Sequence, residues 1–369
     1  MASSKSPNWK ALCWPLAAIA IGALVSLNPF FEPHLSPGIG IAAWFADLAL
    51  VLILSVHPLA ARAGIILAGL FFAVPCFLWA PPLSRALLMC CMSFPFALAA
   101  VPLFAPPTAD FRTRLALFFT WGGMRKITRR ASRFDLSSLL CLIAASVVFA
   151  AALAWVNVVP AVGCRLLARW LAGGVMIFAF AEMIVAGHDF LTTLAGLSAP
   201  ALMRSPFLAT SVGEFWAKRW NRVASALLFR PLFFALFAWH GTALALFITF
   251  FVSAAAHVLL AFMAMGRWKI SLVCGAFFLV QPLFILVERW LNTRLWPTAA
   301  ARVWTLAVLA ITSPLFVEPA LQIITPSLGG TNQVLLPAIA ALGFVMLVNV
   351  FFLAGQLVSC PKFMPNRSG

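Results

Sequence analysis

Residues 242–263 read TALALFITFFVSAAAHVLLAFM. One ionisable side chain, His257, interrupts this apolar run. A helix of about 20 apolar residues, rising 1.5 Å per residue, covers the hydrocarbon core of a bilayer. A helix on the surface of a soluble domain would instead show a polar face, and this run has none. It therefore reads as a transmembrane helix. Similar runs lie at 11–28, 39–56, 62–80, 84–104, 137–158, 168–187, 225–240, 270–288, 302–318 and 334–357. The expected fold is an all-α, polytopic transmembrane bundle of about 9–11 spans forming a single integral membrane domain over residues 1–369. The short runs 225–240 and 302–318 are expected to be tilted or re-entrant.

Composition agrees with this reading. The chain is 64% hydrophobic and 9% charged, against about 25% charged for a soluble domain. The net charge is +16, but the basic residues sit in short loops between apolar runs. That is how topology-setting charges are placed, and it points away from nucleic acid as a partner. None of the eight cysteines forms a CxxC pair, and neither a metal site nor a disulfide framework is expected. The first apolar run lacks an obvious small-residue cleavage site and is expected to be retained as a span.

Loop charge orients the spans. Lys5 and Lys10, the arginine-rich segment 105–135, the segment 188–224 and the pair Arg267 and Lys269 should share one side, the cytoplasmic one. On that count Arg289 and Arg294 fall on the other side, with Lys362 and Arg367. The conflict places a miscounted or re-entrant segment near the C-terminal end. Segment 112–134 mixes aromatic and basic residues and reads equally as an interfacial helix or as a loop carrying topology-setting charges. The bilayer is expected to be either a bacterial inner membrane or the endoplasmic reticulum.

Ionisable residues within spans are costly and mark candidate sites. They are Asp47, Glu182, His188, His240, His257, Glu288 and Glu318. Asp47, His188 and Glu288 fall near span ends, where headgroups and water can solvate them. His257 lies deep in its run, with Ser253 one helical turn before it on the same face. A neutral imidazole there suits a general base. Upstream, residues 205–223 read SPFLATSVGEFWAKRWNRV. Thr210 and Ser211 offer N-caps, and Glu214 can close a capping box from Ser211. That predicts a short amphipathic helix at the interface carrying Trp216, Lys218, Arg219 and Trp220, followed by Asn221 and Arg222.

Three stretches together resemble a known family. PFLATSVGEFWAKRWNR (206–222), FVSAAAHVLL (251–260) and ITSPLFVEPALQ (311–322) are similar to segments of the wax synthase-like branch of the membrane-bound O-acyltransferases (MBOAT), in that order. The resemblance covers residues 199–322. The chain departs from the family pattern at Ala217, Ala254 and Val258, where glycine, glycine and an acidic residue are usual. The resemblance implies an MBOAT-like fold and transfer of a fatty acyl group from acyl-CoA to a lipid alcohol, without a cofactor. It implies His257 and Asn221 as catalytic residues. Trp216, Lys218, Arg219, Trp220, Arg222 and Ser253 become substrate-binding candidates, with basic side chains for the CoA phosphates. The competing reading is a proton-coupled transporter or flippase that uses Glu182, His257 and Glu318 as a relay.

Overall fold

A computed structural model describes residues 36–54, 66, 70, 74–78, 81–91, 127–129, 134–158, 163, 165–325 and 335–359. The expected span 11–28, most of 62–80 and of 84–104, and most of the basic segment 105–135 lie outside these residues. The regular structure of the described residues is helical, apart from one short strand pair. Helices α1 (Pro37–Leu54) and α2 (Pro82–Cys91) precede the hairpin of α3 (Leu136–Val158) and α4 (Arg165–Leu194). Then follow α5 (Arg230–Met265), α6 (Trp268–Trp290), α7 (Thr298–Thr312), α8 (Pro314–Ile324) and α9 (Leu335–Ser359). Among the described residues, α3, α4, α6 and the His240–Met265 part of α5 are long and apolar enough to cross a membrane. These four coincide with the expected spans 137–158, 168–187, 270–288 and 242–263. Helices α7 and α8 make a fifth crossing if taken as one span bent by 47°, matching the tilted or re-entrant reading of 302–318.

The expected span 225–240 is not a separate crossing. Residues 225–229 form a wide π turn, and the helix from Arg230 reaches only to a break at Gly241. Gly241 has φ 75° and ψ 179°, a conformation open in practice to glycine alone. Eleven residues rise about 16 Å, half of what a crossing needs. Leu232 and Leu236 fold onto Ala245 beyond the break, in one buried cluster. Its shortness had marked the run, with 302–318, as tilted or re-entrant, but hydropathy alone does not exclude a crossing, because the run is as apolar as a true span.

That correction resolves the charge conflict. The Glu288 carboxylate, at the C-terminal end of α6, accepts the Val212 N–H at 2.7 Å. So the loop 289–297 shares an end of the bundle with the loop 199–229. Strand β1 (Thr128–Arg129) pairs antiparallel with β2 (Leu197–Ser198) at the same end. The last turns of α9 arrive there too, where Leu353 and Leu357 pack on Ile127 and Leu197. Arg267 and Lys269 sit one helix length away, about 33 Å for the 23 residues of α6. There the Arg267 guanidinium donates to Gln322 near the end of α8 (3.2 Å). The expectation that Arg267 and Lys269 lie on the same side as 188–224 is therefore wrong, and so is the placement of Arg289 and Arg294 on the other side. The miscount is at 225–240, not near the C-terminus.

Lipid tails are as apolar as leucine, so helices in a bilayer are held by close packing rather than by escape from water. The main packed layer joins α3 and α4 through Leu153, Val156, Met176 and Met183. It extends to Val317 and Leu321 of α8 and to Val345 of α9. Gly173 makes the α4–α8 contact possible: a Cβ there would stand 2.7 Å from Val317 Cγ1. A second layer joins the 212–216 turn to α5, α6 and α7 through Val212, Trp216, Phe250, Phe277, Ile285 and Val308. This second layer positions the candidate site.

Candidate active site in a membrane-embedded cavity

The site begins with a backbone problem. A helix start leaves N–H groups without intrahelical partners. At Val212 the orphan donors are met by two acceptors. Ser211 Oγ accepts the Glu214 N–H (2.9 Å), as the capping reading predicted. The Glu288 carboxylate reaches across from α6 to Val212 and Gly213. Glu214 does not close the box onto Ser211. Its carboxylate accepts the Thr210 N–H and Thr210 Oγ1–H, both at 2.8 Å, and the Arg219 Nε–H at 2.8 Å. Burial pushes the Glu214 carboxyl upward, but the Thr210 and Arg219 bonds outweigh it and hold it below the ordinary value. Glu288 thus has a structural role that its position near a span end did not suggest.

The helix begun at Ser211 lasts one turn. Residues 215–219 widen into a π turn, in which the Trp220 N–H bonds to the Phe215 carbonyl at 2.8 Å. The expected amphipathic helix is therefore a broken, compact element that dips into the bundle. Val212 and Phe215 are its buried side chains, and Trp216 is half-buried beside them. Its indole N–H donates to Gln281 Oε1 (3.1 Å), and Gln281 Nε2 donates to Thr312 Oγ1 (3.2 Å) and to the Phe277 carbonyl (3.0 Å). Gln281 is fully buried. This network ties the turn to α6 and α7.

Asn221 follows in a left-handed conformation, φ 30° and ψ 65°. Asparagine tolerates that region better than most residues, and such outliers gather at functional sites. Its Oδ1 accepts the Ala224 N–H at 3.1 Å, capping the next helical turn. The amide nitrogen is thereby the end left to serve a ligand.

His257 sits on α5, half-buried. Its Nδ1 lies 2.7 Å from the Ser253 carbonyl oxygen. A carbonyl only accepts, so Nδ1 carries the proton and Nε2 of the neutral ring carries the lone pair. The ring stacks on Phe278 with centroids 3.9 Å apart at 26°, and meets Phe316 edge-on at 5.9 Å. Ser253 acts here through its backbone.

A cavity of about 1290 Å³ brings these groups together. Among its lining residues are His257, Ser253, Trp216, Lys218, Trp220 and Asn221, with Phe250, Phe277 and Phe278 forming apolar wall. Two of the basic candidates are not in that lining. Arg219 is held by Glu214 and donates to the carbonyls of Arg204 and Ser205. Arg222 donates to the Ala201 carbonyl at 2.7 Å. Both brace the loop 199–222. Instead the cavity is lined by Arg230, Arg289 and Arg294 beside Lys218, all four exposed. The sequence reading missed Arg289 and Arg294 because the miscounted span put 289–301 on the wrong side of the membrane, and Arg230 because it lies within that supposed span.

The remaining ionisable candidates lie elsewhere. His188 is fully buried, with Nδ1 3.2 Å from Asp189 Oδ1 and Nε2 2.9 Å from the Gln356 amide. Glu318 accepts from Trp170 Nε1 and Gln322 Nε2, each at 2.9 Å. Asp47 is fully buried in α1, Glu182 is half-buried and His240 is exposed. Among the described residues, the hydrogen bonds of Glu318 and of His257 run to different partners.

Comparison with known proteins bears on the same stretch. Residues 199–280 match the family described as Membrane bound O-acyl transferase family. The acyl-CoA–sterol O-acyltransferase 1 of Arabidopsis thaliana is 31% identical over 150 residues. That match covers 37% of this chain and 43% of the plant protein, less than half of its length. The segment that places Trp216, Lys218, Asn221, Ser253 and His257 around the cavity is thus the segment similar to the membrane bound O-acyl transferases.

Proposed function

We propose that the chain is a membrane O-acyltransferase of the wax synthase-like branch, moving a fatty acyl group from acyl-CoA to a lipid alcohol. One observation carries the reading. His257 commits Nδ1–H to the Ser253 carbonyl, which leaves the lone pair on Nε2, and His257 lines a large apolar cavity that Asn221 also lines. An alcohol is too weak an acid to ionise unaided near neutral pH, so a positioned base is required. In this reading the acceptor O–H proton passes to Nε2 as the oxygen attacks the thioester carbonyl. The Asn221 amide N–H stabilises the resulting oxyanion. Collapse expels the CoA thiolate, which takes the proton back from the imidazolium. Lys218, Arg230, Arg289 and Arg294 form the cationic surface for the CoA phosphates, while the phenylalanine walls take the acyl chain. The side of the bundle that carries these residues also carries most of the described basic loop residues and is assigned to the cytoplasm by the positive-inside rule.

A long-chain alcohol is the proposed acceptor. The name of the plant relative makes a sterol the second candidate to test. The experiment is ester formation in membranes from labelled acyl-CoA and an acceptor panel. His257→Ala should lower the rate by about 10²–10⁴-fold, the usual worth of a general base, with the protein still folded. Asn221→Ala should slow turnover by about 10²-fold or more. Ester formation at the wild-type rate in His257→Ala membranes refutes the assignment.

A further inference from the structure

At the end of the bundle away from Asn221, α5 gives way to α6 within two residues. Met265 closes α5 and Trp268 opens α6, with Gly266 and Arg267 between them. Gly266 takes φ 66°, and its N–H donates to the Phe262 carbonyl at 2.6 Å, which is the left-handed glycine stop of a helix. The Arg267 carbonyl accepts the Ser271 N–H (3.2 Å) and Oγ–H (2.8 Å). A turn this short, bonded on both sides, fixes the backbone from which Arg267 and Lys269 project.

A cavity of about 410 Å³ lies against this turn, lined by Arg267, Trp268, Lys269, Ile270, Val273 and Gln322. The Trp268 ring is stacked on Phe262, with centroids 3.9 Å apart at 19°, so one wall is held in place. Gln322 is held too: its Nε2 donates to Glu318 (2.9 Å) while its Oε1 accepts from Arg267 (3.2 Å). The guanidinium has five N–H donors and commits one of them to Gln322. Lys269 is exposed and, among the described residues, forms no hydrogen bond or ion pair. No carboxylate is among the described residues that line the cavity. Both cations also stand on the face of the membrane where the positive-inside rule keeps Lys and Arg scarce, so topology does not account for them.

The lining is ordered along α6. Charge and indole stand at the helix start, where headgroups lie. Ile270 and Val273 follow toward the hydrocarbon, and Val273 is exposed. A phospholipid has the same order, phosphate above and acyl chain below. Its headgroup must carry net negative charge, because a choline or ethanolamine ammonium would meet two cations and no carboxylate. We propose that this cavity binds an anionic phospholipid of the leaflet opposite the cytoplasm. Arg267 and Lys269 take the phosphate, and Ile270 and Val273 take the first methylenes of a chain. The bound lipid touches both the α5–α6 turn and Gln322 of α8, so it ties these elements together and stabilises the fold. Binding is read without turnover, so the proposal stands or falls apart from the assignment of His257.

The test titrates the purified chain, in a neutral detergent, with phosphatidylglycerol. Retained lipid is counted by native mass spectrometry, with phosphatidylcholine of the same chains as competitor. Phosphatidylglycerol should be retained in preference, and Tm should rise with its concentration. At the usual worth of one cation beside an anionic lipid, Lys269→Gln should weaken retention about fivefold, and Arg267→Gln with Lys269→Gln about thirtyfold. Lys269→Gln removes no hydrogen bond among the described residues, so it carries the test if the double variant does not fold. Arg165→Gln removes an exposed cation at the start of α4, at the same end of the bundle, and should leave retention unchanged. Inorganic phosphate and glycerol 3-phosphate separate a lipid from a free anion, and neither should displace the lipid. Equal retention of phosphatidylcholine, or a loss in Arg165→Gln as large as in Lys269→Gln, overturns the site. Displacement by inorganic phosphate overturns a lipid as its occupant.

Discussion

Glu288→Ala should release the re-entrant turn that carries Trp216 and Asn221. The carboxylate accepts the buried Val212 N–H at 2.7 Å and reaches the Gly213 N–H at 3.5 Å. Only the first is a strong bond by length. Removing it strands a buried donor at a helix start, a change worth about 2–3 kcal/mol when the acceptor is a carboxylate. At 1.4 kcal/mol per tenfold, local opening at Val212 becomes about 30–150 times more frequent. The assay is hydrogen exchange by mass spectrometry on peptides covering 205–220, in detergent or nanodiscs. Glu288→Gln keeps an acceptor oxygen but loses the charge, so its effect should be about tenfold. Exchange in the α3–α4 hairpin should not change, because that layer packs independently of the turn. Acyl transfer should fall with the alanine variant, since Asn221 is set by the same loop. Exchange at 212–216 unchanged in Glu288→Ala would show that the turn is held by Trp216 and its neighbours alone, and the anchoring argument would fail.

Three further outcomes follow from the same geometry. Arg289→Ala and Arg294→Ala should each raise KM for the acyl donor several-fold with little effect on kcat, and the double variant should do so more strongly. A donor lacking the CoA phosphates should not distinguish them from wild type. Glu214→Gln tests a pH effect. The folded-state pKa of Glu214 is depressed below the ordinary 4.5, so its stabilisation is present above that value and lost as pH falls through the lower, folded-state value. Exchange in 199–222 should rise on acidification below about pH 4 in the wild type. In Glu214→Gln it should already be raised at pH 7 and respond less to acid. Gln281→Leu leaves the Trp216 indole N–H without its acceptor and should lower stability by about 1–3 kcal/mol, read as a drop in Tm.

How far the sequence could be read depends on which physics each feature obeys. A helix such as α3 or α6 is announced by length and apolar content alone, because the bilayer requires every backbone polar group to be satisfied within the span. Hydropathy therefore located the four crossing helices to within a few residues at most of their ends. At 225–240 it gave a short run, tilted or re-entrant, but counted it as a crossing; the decisive feature there is one glycine conformation, φ 75° at Gly241, and the leucines fold back on the bundle instead of facing lipid. Hydrophobicity scales do not see that difference. Charge counting did see a contradiction, in Arg289 and Arg294, but the rule reports only that a parity is wrong and not where. The site divides the same way. Ser211 and its cap were readable because capping is local in sequence. Glu288, 76 residues from the N–H it accepts, was not, and an isolated acidic residue at a span end looks the same whether it meets water or a helix start. The consequence for the candidate site is substantive. Correcting one span brings Arg289 and Arg294 to the side of the cavity they line, while Arg219 and Arg222 are taken up by hydrogen bonds that brace the loop. In a membrane protein, assigning a charged residue to a substrate therefore depends on the parity of every helix before it. A single hydrogen bond that crosses the bundle, such as that from Val212 to Glu288, fixes that parity more firmly than the hydropathy of the intervening runs.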